Sequence, residues 1–256
     1  MVERERQQND SLANGLGVPG TLPFRDTSNH QPCVGCSSAG SIGIATAADP
    51  SGPWTTVFPF VGEPVPGHQG SLANPSPLVL ENGTLMLCYR YSNGVLHKQG
   101  EALAVAVAEQ AAGPWTFLNA DATALNVEDP ALYLGARGYH IVAHQYNDTF
   151  VWPNGTVEKL QYGDPRMQSG AHMYSVDGVH WRTSPYALYN NSITWANGSD
   201  VLLNYRERPE VVVDEKTKRP MYLVTGAEWG HKCAYPTCKP GQSCQSISMI
   251  TEILHD

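Results

Sequence analysis

The chain has 256 residues, a formal net charge of −8 and only 16% charged residues. That length can bury a substantial core, as one large all-β domain or two small ones. No basic run marks a nucleic-acid surface, and no apolar stretch approaches the ~20 residues that cross a bilayer.

Residues 1–40 carry little periodicity and are rich in Gly, Pro, Ser and Asn. They are expected to form an irregular N-terminal segment. From residue 41 an internal repeat begins. SIGIATAADPSGPWT from Ser41 aligns without gaps on ALAVAVAEQAAGPWT from Ala102, an offset of 61 residues. A looser copy, AHMYSVDGVHW, starts at Ala171 and places Trp181 66 residues after Trp115. Units of this size are too long for a helical solenoid and fit four-stranded blades of a β-propeller with decorated loops. Ala102–Ala108 has helical propensity, but Leu103, Val105 and Val107 alternate with alanine at period two, which predicts a buried inner strand. Trp54, Trp115 and Trp181 are expected to pack within or between blades.

A second repeat interleaves with the first. Polar or charged clusters precede Pro75, Pro130 and Pro209, and each opens a hairpin with turns at 81–83, 135–138 and 214–218. The blades therefore run from about Asn74 to Trp115, from Glu128 to Trp181, and from Arg206 to near Ile253. Only a blade tail, Ser41–Trp54, precedes them. The expectation is an all-β propeller domain over residues 41–256, incomplete at its N-terminus, with about three full blades plus part of another. The three cluster heads are expected to meet at one place, a sugar site.

Cysteines occur at 33, 36, 88, 233, 238 and 244, and acceptor sequons at Asn9, Asn82, Asn147, Asn154, Asn190 and Asn197. Chance would give only ~2 such triplets, and an acceptor must enter a secretory compartment to be used. Sequons and cysteines together favour disulfides, glycosylation and a secreted or luminal setting. The alternative for Cys33-x-x-Cys36 is zinc, but no second tight Cys/His pair of the usual spacing appears. MVERERQQND has no apolar core of a signal peptide. Either the chain is a fragment of a longer protein or the sequons are unused; the apparent lack of a first blade favours the fragment.

The blocks SIGIATAADPSGPW, NPSPLVLENGTLMLCYR, VEDPALYLGARGYHIVAH, GAHMYSVDGVHW and RERPEVVVDEKTKRPMYLVTGA resemble five-bladed propellers of the glycoside hydrolase family 43 type, over about Ser41 to Ala227. Their order makes the resemblance stronger for fold than for chemistry. It implies action on glycosidic bonds of a poly- or oligosaccharide by three carboxylates: a base, an acid, and a third that tunes the acid. On that resemblance Glu128 matches the general acid. Asn74 falls where the tuning aspartate would sit, and an amide cannot raise a pKa by charge. Asp10 and Asp26 are the acids available before residue 40 for the base, and neither has a strand-like context. The alternative is a non-catalytic carbohydrate-binding propeller.

Around Glu128, Asp129 either holds the turn, pairs with an arginine, or contacts ligand. Glu207, between Arg206 and Arg208, suits bonding to sugar hydroxyls or a structural ion cluster. His144 and His172 can face the central channel, and Arg90 can be a cavity arginine; each has a structural alternative. Arg206 completes the set of expected ligand contacts. A carbohydrate is the expected partner, the chain is expected to be a monomer, and no cofactor or metal site is assigned beyond the structural calcium that a propeller channel can hold.

Overall fold

The computed structural model describes residues 42–57, 72–92, 101–119, 122–123, 125–147, 149–151, 154–160, 166, 168–195, 197–228 and 246–254. All of them fall in the unit Ser38–Asp256. Residues 1–40 with Asp10 and Asp26, the sequon at Asn9, and Cys33, Cys36, Cys233, Cys238 and Cys244 lie outside the described residues. Cys88 is buried as a free thiol, and burial pushes its pKa up.

The described residues contain strands and turns but no α-helix. β1 (Ile44–Thr46) pairs with β2 (Thr55–Val57). β3 (Leu72–Val79), β4 (Leu85–Ser92), β5 (Glu101–Ala108) and β6 (Thr116–Asn119) form a four-stranded antiparallel sheet, sheet I. β7 (Val127–Gly135) and β8 (Gly138–Tyr146) are followed by a separate hairpin, β9 (Thr149–Val151) and β10 (Val157–Lys159). β11 (Gln168–Ser175) and β12 (Arg182–Thr183) then join β7 and β8 as sheet II, in the order β12-β11-β8-β7. A second small hairpin, β13 (Ser192–Thr194) and β14 (Asp200–Leu202), leads to sheet III: β15 (Tyr205–Val213), β16 (Pro220–Glu228) and β17 (Ser246–Glu252). The units that the sequence opens at Asn74, Glu128 and Arg206 thus fold as separate sheets.

The period-two pattern of β5 explains how sheets I and II stack. Leu103 and Val105 point into a cluster with Ile141, Ala143 and Met173 of sheet II. Ala102, Ala104 and Ala106 point the other way, against Ile42, Tyr89 and Tyr91. Small residues on that face leave room for two fully buried tyrosine rings. The reverse face of sheet II carries Ala131 and Val142 onto Leu223 of sheet III and Tyr189. Residue 42, sheet I, sheet II and sheet III therefore meet face to face in chain order.

The Gly-Pro-Trp repeat is conformational as well as textual. Gly52-Pro53 and Gly113-Pro114 are both cis, with Gly52 at φ 87° and Gly113 at φ 81°. A Cβ on Gly113 would lie 2.9 Å from the Trp115 backbone nitrogen, so only glycine fits there. Trp115 and Trp181 pack against the core as expected. Trp54 does not: it is 53% exposed, because β1 has only β2 beside it among the described residues.

Candidate functional site where three hairpin heads meet

Each of β3, β7 and β15 breaks its ladder at the same relative place. Pairing skips between Ala73 and Ser76, Glu128 and Ala131, and Glu207 and Glu210. The skipped proline has no N–H to lose, so a bulge is the natural place for it. The residue before each proline has positive φ: Asn74 at 49°, Asp129 at 50° and Arg208 at 53°. Asn and Asp tolerate this left-handed region; arginine pays roughly 1–2 kcal/mol to enter it. Such strain persists where surrounding structure fixes it, commonly at functional sites. The three bulges close around one cavity of about 200 Å³, lined by Asn74, Asp129, Arg208, their prolines and Glu210.

Asp129 is the buried centre of this point. Asn74 Nδ2 donates a hydrogen bond to Asp129 Oδ1, and Arg208 Nη1 stands 3.6 Å from the same oxygen. Oδ2 of Asp129 is buried with no hydrogen-bond partner among the described residues. Burial, then the charge of Glu128, pushes the Asp129 carboxyl above its ordinary range, against the pull of Arg208 and His144.

Glu128 has the opposite environment. Burial alone would raise it, but the contacts of His144 and Tyr146 and the charge of Arg90 together hold it below the usual carboxylate range. Arg90 Nη1 donates to Oε2 at 3.2 Å, Tyr146 Oη donates to Oε1, and His144 Nδ1 is 3.6 Å from Oε1. The same arginine nitrogen meets Glu101 at 3.0 Å. The Glu128 bond raises the Tyr146 phenol in turn, after burial. His144 is fully buried and pairs across the ladder with Glu128; neither of its ring nitrogens has a hydrogen-bond partner among the described residues.

One ligand atom from each of Glu128, Asp129, His144 and Glu207 lies within 4.8 Å of the others. Three carboxylates and an imidazole are a donor set able to hold a hard divalent cation. Glu207 is the accessible member, its side chain 35% exposed against 6% for Asp129.

Of the residues singled out from sequence, Asn74, Arg90, Glu128, Asp129, His144 and Glu207 come together. Arg206 and His172 do not. Arg206 is buried, donating to Thr225 Oγ1, the Asn190 carbonyl and Thr251 Oγ1 with its guanidinium 4.8 Å over the Tyr189 ring. It ties sheet III to the 189–190 segment rather than facing the acids. His172 lies beside His140, with ring nitrogens 3.0 Å apart, toward the β7–β8 turn. Two members escaped the sequence reading. Tyr146 carries a period-two signal, two residues after His144 on one strand, and Arg208 occupies the position that Asn74 and Asp129 hold in the other heads.

No family model matches the chain, and no curated protein matches it. Among solved structures, the chain is similar to a thermostable family-43 glycoside hydrolase, at 13% identity and TM-score 0.50, covering 84% of this chain and 64% of that one. It also matches an endo-1,4-beta-xylanase from Bacteroides thetaiotaomicron VPI-5482 at 13% identity and TM-score 0.49, covering 81% of this chain and 62% of that one. The chain thus spans under two thirds of either. The first likeness shows the fold alone, an all-β architecture of the β-propeller kind.

Proposed function

We propose that the chain is a glycosidase-like propeller that acts on the glycosidic bonds of a poly- or oligosaccharide, with its reaction centre where the three heads meet. The convergence of Asn74, Asp129 and Arg208 in one cavity, with Glu128 and Glu207 beside it, carries this reading. The work is divided among the carboxyls by their surroundings. Glu128, held ionised by Arg90, Tyr146 and His144, is a poor proton donor despite its place in the motif. It keeps the cluster charged, and that charge helps Asp129 retain a proton. Glu207 is the carboxyl that a glycosidic oxygen can reach, and Asp129, whose carboxyl is raised above its ordinary range by burial and by Glu128, lies next to it. The acid side of the reaction is therefore Asp129 with Glu207.

The test is release of sugar from arabino-, xylo-, galacto- and fructo-oligosaccharides by wild type, Glu207→Gln, Asp129→Asn and Glu128→Gln. Loss of release in Glu207→Gln and Asp129→Asn is expected. Full release by Glu207→Gln would remove it from the acid role.

A second reading, a non-catalytic carbohydrate-binding propeller, is favoured by two features. Asn74 brings an amide to a head where Asp129 brings a carboxylate. The acid oxygens also lie within 4.8 Å, closer than the ~6.5–9.5 Å that an inverting pair leaves for water. Glycans retained on an array without cleavage would select this reading.

A further inference from the structure

A second cavity, of about 480 Å³, lies between sheets II and III at the turn ends of their hairpins. Its lining differs in kind from the acid cluster. Arg137 comes from the β7–β8 turn, Lys218 and Arg219 from the β15–β16 turn, and His140 and His172 from the strands between them. No carboxylate is among its lining residues, in a chain of net charge −8. Lys218 meets Glu81 at 3.5 Å; Arg137 and Arg219 form no ion pair among the described residues. Val142, Val211 and Ile253 make an apolar floor. Tyr133 stacks on His140 at 5.0 Å, and His140 on His172 at 5.2 Å, so one wall is a row of rings.

We propose that this cavity binds a small organic oxyanion: a carboxylate or phosphate monoester carried on a ring or apolar body. Arg137 and Arg219 supply charge-assisted donors for the oxyanion. The ring wall and apolar floor take the body, and the volume far exceeds what a bare oxyanion fills. The imidazole pair adds a proton response. One ring must donate across their 3.0 Å contact, which leaves the pair with room for a proton. Burial and neighbouring positive charges, His172 and Arg137 around His140 and Arg137 around His172, hold both imidazoles below their ordinary value. The other titratable groups on the pocket are Tyr133 from β7 and Lys218 and Arg219 from the far turn, and Tyr174 on β11 meets the His172 ring from outside the lining. A bound anion offsets their positive field, so the imidazoles gain protons and binding tightens as pH falls.

Calorimetry with phenyl phosphate, benzoate, inorganic phosphate and the neutral control phenol tests this on the full chain. Saturable binding of phenyl phosphate, benzoate or both is expected. Phenyl phosphate alone identifies a phosphate monoester, and benzoate alone a carboxylate. Arg137→Ala and Arg219→Ala, both at exposed turns, should each weaken binding by roughly tenfold. Affinity for benzoate should rise as pH falls from ~7 to ~5. Phenol binding as tightly as the anions, unchanged affinity in both arginine variants, or no saturation by ~10 mM would overturn the proposal. So would inorganic phosphate binding as tightly as phenyl phosphate, since the apolar surfaces would then play no part.

Discussion

Arg90 is the guanidinium against Glu128 at the candidate site, adding its charge to the contacts of His144 and Tyr146, and Arg90→Met removes that charge alone. The substitution keeps the aliphatic stem and removes the guanidinium from both Glu128 at 3.2 Å and Glu101 at 3.0 Å. At 3.2 Å and an effective dielectric of ~20, the gross Coulomb attraction of the Glu128 pair is ~5 kcal/mol. Desolvation and side-chain ordering leave roughly 1.5–3 kcal/mol for a charge-assisted bond of this kind. The two side chains are 21% and 17% exposed, so solvent screening is limited. The Arg90→Met, Glu128→Gln and double variants form a cycle that isolates the pair, with an expected coupling of about 1.5–3 kcal/mol near neutral pH. The pH dependence has a definite sign. Glu128 has a lowered folded-state pKa, so its stabilising contribution is full above the unfolded carboxylate value, ~4.3. It fades as pH falls through the folded value. Urea unfolding of the cycle at pH ~7 and pH ~3 should therefore show a smaller coupling at the second than at the first. A coupling of equal size at both would mean that the ion pair is not what holds Glu128, and the division of roles among the acids would fall with it.

Asp129 behaves oppositely. Its carboxyl is raised by burial and by Glu128, so ionisation costs the fold stability as pH rises through the unfolded value. Asp129→Asn should then stabilise by about 0.5–2 kcal/mol at neutral pH, less in acid, as measured by thermal unfolding. Ile141→Ala removes a fully buried side chain between sheets I and II and should cost about 2–5 kcal/mol in urea unfolding. Gly113→Ala and Gly83→Ala separate strain from crowding: φ is positive at both, but only Gly113 has atoms within reach of a new Cβ. The first should lose clearly more stability than the ~1–2 kcal/mol expected of the second. Asn82, Asn154 and Asn197 sit exposed in turns, whereas Asn147 both accepts from Gln145 and donates to Ser169. On secretion from a eukaryotic host, mass spectrometry should find glycans at the exposed three and not at Asn147.

The fold was legible where period and turn chemistry agree. The alternation of β5 separates into two clusters, and each proline-headed hairpin forms. The hairpins β9–β10 and β13–β14 fall outside the repeated sequence blocks, and only Asn154-Gly155 and Asn197-Gly198 mark their turns. Within the site, the motif brought attention to Glu128 and Asp129 together, but composition cannot say which of two adjacent acids keeps a proton. That depends on Arg90, Tyr146 and His144, brought to Glu128 by strand pairing. Arg206 and His172 show the same limit. Arg206 and Glu207 are neighbours on a strand and point to opposite faces, so one packs on Tyr189 and the other joins the acids. His172 pairs with Val142, two residues along β8 from the rung of His144. At ~3.3 Å per residue that is ~7 Å, enough to put it in another cavity.

The stacking of sheets in chain order bears on how the molecule comes apart. Sheets I, II and III are successive stretches of sequence, and each hydrophobic cluster joins neighbours along it. Cooperativity of this kind passes from one unit to the next, as in repeat proteins. Sheets I and II, each with a core on both faces, should exchange their amide hydrogens last. Sheet III, which the described residues cover on its Leu223 face while Tyr222 and Ile250 of the other remain exposed, should open first. Opening of sheet III would carry Glu207 and Arg208 away from Asp129 while leaving the Glu128–Arg90 pair in place. The acid cluster would thus be taken apart by a local event long before the chain unfolds.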